Sequence, residues 1–298
     1  MPPLFSGLAA FPITPADADG RVDVAALRSL VRRLVEAKVD SIGLLGSTGT
    51  YAYLSRSERR RAIEAALDEA AGKVAVMAGV GALRTDEAVA LAQDAKAAGA
   101  GAGLLAPVSY TPLLDEEVFV HFQTVAGESG LPICIYNNPG VTHFTFSAAL
   151  TQRLSGVAGV VAVKNPAPPA DQVAVHLADL RARVPAGFSL GYSGDSNCAE
   201  AMLAGGDVWH SVLGGVFPET TMAFCRAAQS GYDAETRRLN ERLEPVWQLF
   251  RDLTGLRLAY AAANLLGLTK AQPPRPILPL SEAAQGRVAT VIAELELN

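Results

Sequence analysis

Little in this sequence could bind a metal or form a disulfide. The three cysteines, Cys134, Cys198 and Cys225, make no Cys-x-x-Cys pair and no zinc spacing. That excludes a disulfide scaffold and a structural zinc site, and Cys134, inside an apolar stretch, reads as a buried structural thiol. The four histidines form no His-x-His or His-x-x-x-His pair, so metal-assisted chemistry lacks its ligands. No apolar run is long enough to span a bilayer, and Met1-Pro2-Pro3-Leu4 does not start a basic segment leading into an apolar core. The expectation is a soluble cytoplasmic protein with no membrane partner. Net charge is −5, and the basic residues are dispersed except over 56–61, where arginines alternate with Glu58 and Glu64 as on a solvated helix face. No nucleic-acid partner is expected.

What is present is apolar residue in quantity, half of the chain, enough for one large core. It is arranged as a repeated strand, loop and helix. Strands read at 4–11, 40–45, 73–78, 101–106, 132–136, 160–164, 189–193 and 208–213. Helices read between them at 23–38, 55–71, 85–98, 115–127, 146–154 and 171–183, the second opened by a capping-box pattern at Ser55 and Glu58. Eight such units call for a parallel sheet and close best as a (β/α)8 barrel, an α/β fold. A doubly wound sheet would need a glycine-rich turn after the first strand, and Phe11-Pro12-Ile13-Thr14-Pro15 is not one. Past Tyr232 only helices read, at 235–253, 256–266 and 281–297. The expected division is a barrel over 1–229 and a C-terminal helical region over 230–298.

The chemistry centres on Val160-Val161-Ala162-Val163-Lys164-Asn165-Pro166. A buried strand ends there in a lysine, because Pro166 forbids its continuation. Strict alternation puts Val160, Ala162 and Lys164 on one face. An amine held among apolar groups loses hydration, which favours its neutral form, and a neutral amine can attack a ketone to give a Schiff base. Taken alone, this stretch favours a strand-ending lysine that snorkels to water.

Active groups of such barrels sit on the loops after the strands. Those loops gather Ser47, Thr48, Ser109, Tyr110, Tyr136, Asn138, Lys164, Ser193 and His210. Tyr136 ends the strand next to that of Lys164 and could carry a proton to and from the amine, or be a core tyrosine. Gly46-Ser47-Thr48-Gly49 offers two hydroxyls and loosened backbone amides. These suit a small carboxylate better than a phosphate chain, since the Walker lysine is missing.

Gly-Ser-Thr-Gly at 46–49, Tyr-Asn-Asn-Pro at 136–139 and the apolar strand ending in Lys164 make the chain resemble the dihydrodipicolinate synthase / N-acetylneuraminate lyase family from about Leu4 through Pro218. Ser193-Gly194-Asp195 and the 205–212 stretch support the match. The resemblance implies an imine between Lys164 and pyruvate or a related 2-oxo acid, with no separate cofactor. It implies proton relay by Tyr136, carboxylate binding by Ser47 and Thr48, and a homotetramer built as a dimer of dimers. Lys164, Tyr136 and Thr48 are thus the expected catalytic groups. Ser47, Thr48, Ser109, Tyr110, Asn138, His143, Ser193 and His210 are the expected contacts for the 2-oxo acid and an aldehyde.

The chain departs from the family in four places. Dihydrodipicolinate synthases usually carry an arginine two residues after the proline of Tyr-Asn-x-Pro; here Pro139-Gly140-Val141 supplies a valine. Pro107-Val108-Ser109-Tyr110 puts a serine where the family's interface tyrosine is expected, and Thr50 stands in place of a glutamate. True dihydrodipicolinate synthase activity is therefore not expected. His210 falls where an apolar residue is usual and is either a core histidine or a contact near the imine. His121 and His176 look like surface positions. The alternatives are a dehydratase or aldolase for a 2-keto-3-deoxy sugar acid, and a non-catalytic regulatory barrel.

Overall fold

The computed structural model describes residues 5–297; residues 1–4 and 298, and with them the expected start of the first strand at Leu4 and the ends of both expected regions, lie outside the described residues. Among the described residues eight strands close into a parallel barrel in sequence order: β1 (Gly7–Ala10), β2 (Ser41–Leu44), β3 (Ala75–Gly79), β4 (Ala102–Leu105), β5 (Ile133–Tyr136), β6 (Val160–Pro166), β7 (Ser189–Ser193) and β8 (Val208–Ser211). β1 pairs with β8 and completes the ring. The expected (β/α)8 architecture is the observed one.

The helices that follow the strands are α1 (Val24–Glu36), α2 (Arg56–Ala70), α3 (Thr85–Ala98), α4 (Asp115–Ser129), a single turn α5 (Pro139–Thr142), α6 (Ala148–Ser155), α7 (Val173–Arg183), α8 (Cys198–Leu203) and α9 (Pro218–Gln229). α1 shows why they form where they do. Leu27, Leu30, Val31 and Leu34 recur on one face and are buried, and the Asp23 carboxylate caps the start by accepting from the Ala26 amide at 3.0 Å. The Ser55 box is only half made. Ser55 accepts from the Glu58 amide, but the Glu58 carboxylate is used on the Val22 amide at 2.7 Å, tying the β1–α1 connection to α2.

Four further helices follow: α10 (Asp233–Arg242), α11 (Glu244–Leu253), α12 (Gly255–Leu265) and α13 (Glu282–Glu294). The reading of 235–253 as one helix is corrected: the chain breaks at Leu243, where Pro245 cannot donate to the preceding turn. Val246, Trp247, Leu258 and Val288 join the same hydrophobic core as the barrel's outer face. Among the described residues no helix is long and apolar enough to cross a membrane.

Inside the ring, Ala9, Phe11, Met77, Ala102, Leu104, Cys134, Tyr136, Ala162 and Val208 form a second, smaller cluster. A glycine admits the Phe11 ring here: a Cβ on Gly43 would stand 2.1 Å from Phe11 Cζ. β6 corrects the expectation of strict alternation. Ile133 pairs with Val160 and Cys134 with Ala162, so Val161 is an extra residue in a bulge. Val160 therefore packs outward with the helices, while Ala162 stays inside. Beyond the bulge, Tyr136 pairs with Lys164 and Lys164 with Gly191.

Candidate active site

Lys164 is 4% exposed, at the carboxyl-end mouth of the ring. Its Nζ lies 4.1 Å from the Phe11 ring centroid and 4.1 Å from that of Tyr136. It belongs to none of the ion pairs among the described residues. The nitrogen is thus flanked by π-faces and is not engaged by a carboxylate. Aromatic faces can steady a cation, yet leave the lone pair of the neutral amine free.

The Tyr136 hydroxyl accepts from Asn138 Nδ2 at 2.8 Å and lies 3.2 Å from Ser47 Oγ. Since an amide N–H fills one lone pair, the phenolic proton is available to Ser47 or to a group bound at Lys164. Burial alone would raise the phenol's pKa. The Lys164 charge and the bonds from Ser47, Lys164 and Asn138 outweigh it and bring the pKa below its ordinary value. Tyr51, which lines the same cavity, goes the other way: burial, with Tyr136 adding to it, pushes that phenol up to about 12. Of the two, Tyr136 is the one fitted to move a proton.

The hydroxyl that reaches Tyr136 is that of Ser47; Thr48 lines the cavity without a hydrogen bond to it. The loop over 46–50 turns on two left-handed residues, Leu45 and Thr50. Gly79 makes this possible, because a Cβ there would stand 1.8 Å from the Leu45 carbonyl oxygen. The Ser47 and Thr48 amides have no backbone acceptor among the described residues. Two free N–H groups beside two hydroxyls make a concavity for a small anion.

Ser193 donates to the Asn165 carbonyl at 3.1 Å and lines the cavity with Ser109, Asn138 and His210. His210 is 2% exposed, edge-on to Phe11 with centroids 5.7 Å apart, and its Nδ1 has no hydrogen-bond partner. Burial, and then the Lys164 charge, hold this imidazole well below its ordinary pKa. Two expected contacts lie elsewhere. Tyr110 is 98% exposed, turned outward by the tight Ser109–Thr111 bonding, and borders a side pocket of about 170 Å³. His143, left-handed at the end of α5, borders that same pocket. The surface reading of His121 is also corrected. It is buried between α3 and α4 and bonded to Thr85 at 2.9 Å, while His176 is half-buried against the Tyr192 hydroxyl.

Sequence alone assigns no role to several residues in and around the cavity, Asp195 among them although its segment supports the family match. Phe11 read only as the end of β1. Asp195 is buried, with its carboxylate accepting from Trp209 Nε1 at 2.8 Å and from the Val212 and Leu213 amides at 3.0 and 3.3 Å, which pins the loop after β8. Burial pushes its pKa up against these bonds. Phe250, Thr254, Leu256 and Ile277 reach the cavity from the C-terminal region, and no local pattern marks them.

A family model described as the dihydrodipicolinate synthetase family matches residues 4–295, so the likeness continues through the C-terminal helices. The chain belongs to that family. It is an enzyme of it, a Schiff-base-forming lyase. Among curated relatives, the 4-hydroxy-tetrahydrodipicolinate synthase of Thiobacillus denitrificans is 36% identical over 285 residues, 95% of this chain and 93% of the relative. That of Methylococcus capsulatus is 39% identical over 232 residues, 78% of each chain. Among solved structures, a dihydrodipicolinate synthase from Agrobacterium tumefaciens is 54% identical, covers 98% of both chains and superposes with a TM-score of 0.96.

Proposed function

We propose that Lys164 forms the family's imine with pyruvate or a close 2-oxo acid, and that the natural second substrate is not aspartate semialdehyde. The observation that carries the first part is the Lys164 nitrogen 4.1 Å from the centroid of the Tyr136 ring, whose hydroxyl is itself bonded to Ser47 and Asn138. The amine adds to the ketone carbon, and Tyr136 passes a proton to the carbinolamine oxygen, which leaves as water. The free amides and hydroxyls of Ser47 and Thr48 hold the carboxylate. Loss of a proton from the methyl carbon gives the enamine, whose carbon adds to an aldehyde; the aldehyde oxygen takes up a proton, and water then hydrolyses the imine.

The second part rests on Val141. It lines the cavity where the family resemblance calls for a guanidinium, and Lys164 is the only lysine or arginine among the described residues lining that cavity. Incubation with pyruvate and borohydride tests the first part. A reduced adduct is expected on the peptide containing Lys164 and is lost in Lys164→Ala; no adduct with any 2-oxo acid sinks the reading. Efficient condensation of pyruvate with aspartate semialdehyde in a coupled assay would overturn the second part. The homotetramer belongs to this reading too, with Tyr110 exposed to meet another copy. Sedimentation as four chains is expected, and a monomer at working concentration would count against it.

A further inference from the structure

We infer that the aldehyde partner carries an uncharged, apolar substituent, seated against a wall that the C-terminal helices contribute to the barrel mouth. This deepens the imine-forming reading and rests on it. The cavity above Lys164 measures about 590 Å³, the size of sites that enclose drug-sized ligands, and a three-carbon keto acid fills only a small part of it. Its inner end is polar, with Ser47, Thr48, Tyr136 and Asn138 around the amine. Farther out, the loops and tail add the apolar side chains of Val108, Val141, Val212, Phe250, Leu256 and Ile277, interspersed with uncharged hydroxyls such as Ser109, Thr142 and Thr254.

A second carboxylate would have no cation to meet there. Lys164 is committed to the imine, His210 is held neutral by burial, and the Asp195 carboxyl is fully engaged with Trp209 and two amides. A charge turned toward this half-exposed wall sheds part of its water and meets no cation, whereas an apolar group loses water on both sides of the contact.

The backbone is set to present this wall. Thr254, between α11 and α12, has φ 67° and ψ 147°, a region that β-branched residues scarcely enter. The turn places Gly255 against the Phe250 ring, where a Cβ would stand 3.1 Å from Cε1. Phe250 and Leu256 are thereby brought to one cavity from two helices. Strain of this kind persists where the surroundings enforce it, and here it fixes the side chains that meet the substituent.

Pyruvate and an aldehyde give one 4-hydroxy-2-oxo acid, the water expelled on imine formation being returned on hydrolysis. The test compares benzaldehyde and hexanal with glyoxylate and succinate semialdehyde as acceptors, with borohydride trapping of pyruvate carried out on a separate aliquot of the same preparation. The apolar pair is expected to show kcat/KM at least about tenfold higher, a difference of the size that one pocket contact supplies. Leu256→Ala is expected to lower kcat/KM for the apolar pair by about tenfold, through KM, with a smaller effect for glyoxylate. Val141→Arg, at an exposed position, is expected to shift the preference toward the carboxylate-bearing aldehydes. A failed trap condemns the imine reading itself. A successful trap followed by equal or better use of the charged aldehydes, or by no condensation with either class, overturns this inference alone.

Discussion

Gly191 leaves the space that the His210 imidazole fills: a Cβ on Gly191 would stand 2.4 Å from His210 Nε2 and 2.8 Å from its Cδ2. Gly191 pairs with Lys164 across β6 and β7, so the ring occupies the interior beside the nucleophile. Gly191→Ala must therefore push a buried ring off its position. We expect about 1–3 kcal/mol of lost stability in urea unfolding and a fall in kcat, because the displaced ring enters the substrate space. In Gly191→Ala/His210→Ala the clash is gone, and the two losses should be non-additive by at least about 0.5 kcal/mol. Additive losses would show that the two residues do not share this space.

Tyr136→Phe removes the proton carrier and leaves the ring beside Lys164. A fall in kcat of roughly 10²–10⁴-fold is expected, the usual range for a lost general acid–base group. Pyruvate trapping at Lys164 should slow as well, since water must leave the carbinolamine. Ser47→Ala should give a smaller fall than Tyr136→Phe, as Asn138 still holds the phenol. Unchanged single-turnover trapping in Tyr136→Phe would assign the proton transfer to another group.

Some of this site was readable from residues alone, and the boundary is physical. Lys164, Tyr136 and the loop over 46–50 stand at strand ends, where local apolar runs and their terminating prolines and glycines set positions within a residue. The bulge at Val161 escaped because it arises from pairing with β5, which no single run of residues specifies. The α10–α11 break was marked in the sequence by Pro245, but the helical periodicity on both sides masked it. Phe250, Leu256 and Ile277 lie more than 80 residues beyond Lys164 in the chain, and only tertiary packing brings them to it. Tyr110 and His143 show the converse. Each follows a motif closely, yet backbone turns carry them to a neighbouring pocket.

Asp195→Asn tests the pin under the loop after β8. The carboxylate accepts from one indole and two backbone N–H groups, and an amide offers one oxygen while adding two donors of its own. At least one buried donor is then unpaired, a cost of about 1–3 kcal/mol. Because Val212 lies on the cavity wall, KM for the aldehyde should rise more than KM for pyruvate. Wild-type stability in urea would show that the bonds contribute nothing net.

His210 also gives stability a pH dependence of definite sign. Burial first, and the Lys164 charge second, hold its pKa well below the ordinary 6.5, so on acidification the unfolded chain takes up this proton before the folded one does. The contribution is complete above the unfolded pKa and is lost as pH falls toward the folded value. His121 and His176 are shifted in the same direction by burial and add to the slope. His210→Leu removes one of the three. Between about pH 7 and about pH 5, its urea midpoint should fall less steeply than that of the wild type, the surface carboxylates being common to both. Equal slopes would mean that the imidazole takes up its proton at the same pH in the folded and unfolded chains, so that its burial against Phe11 does not disfavour the charged form.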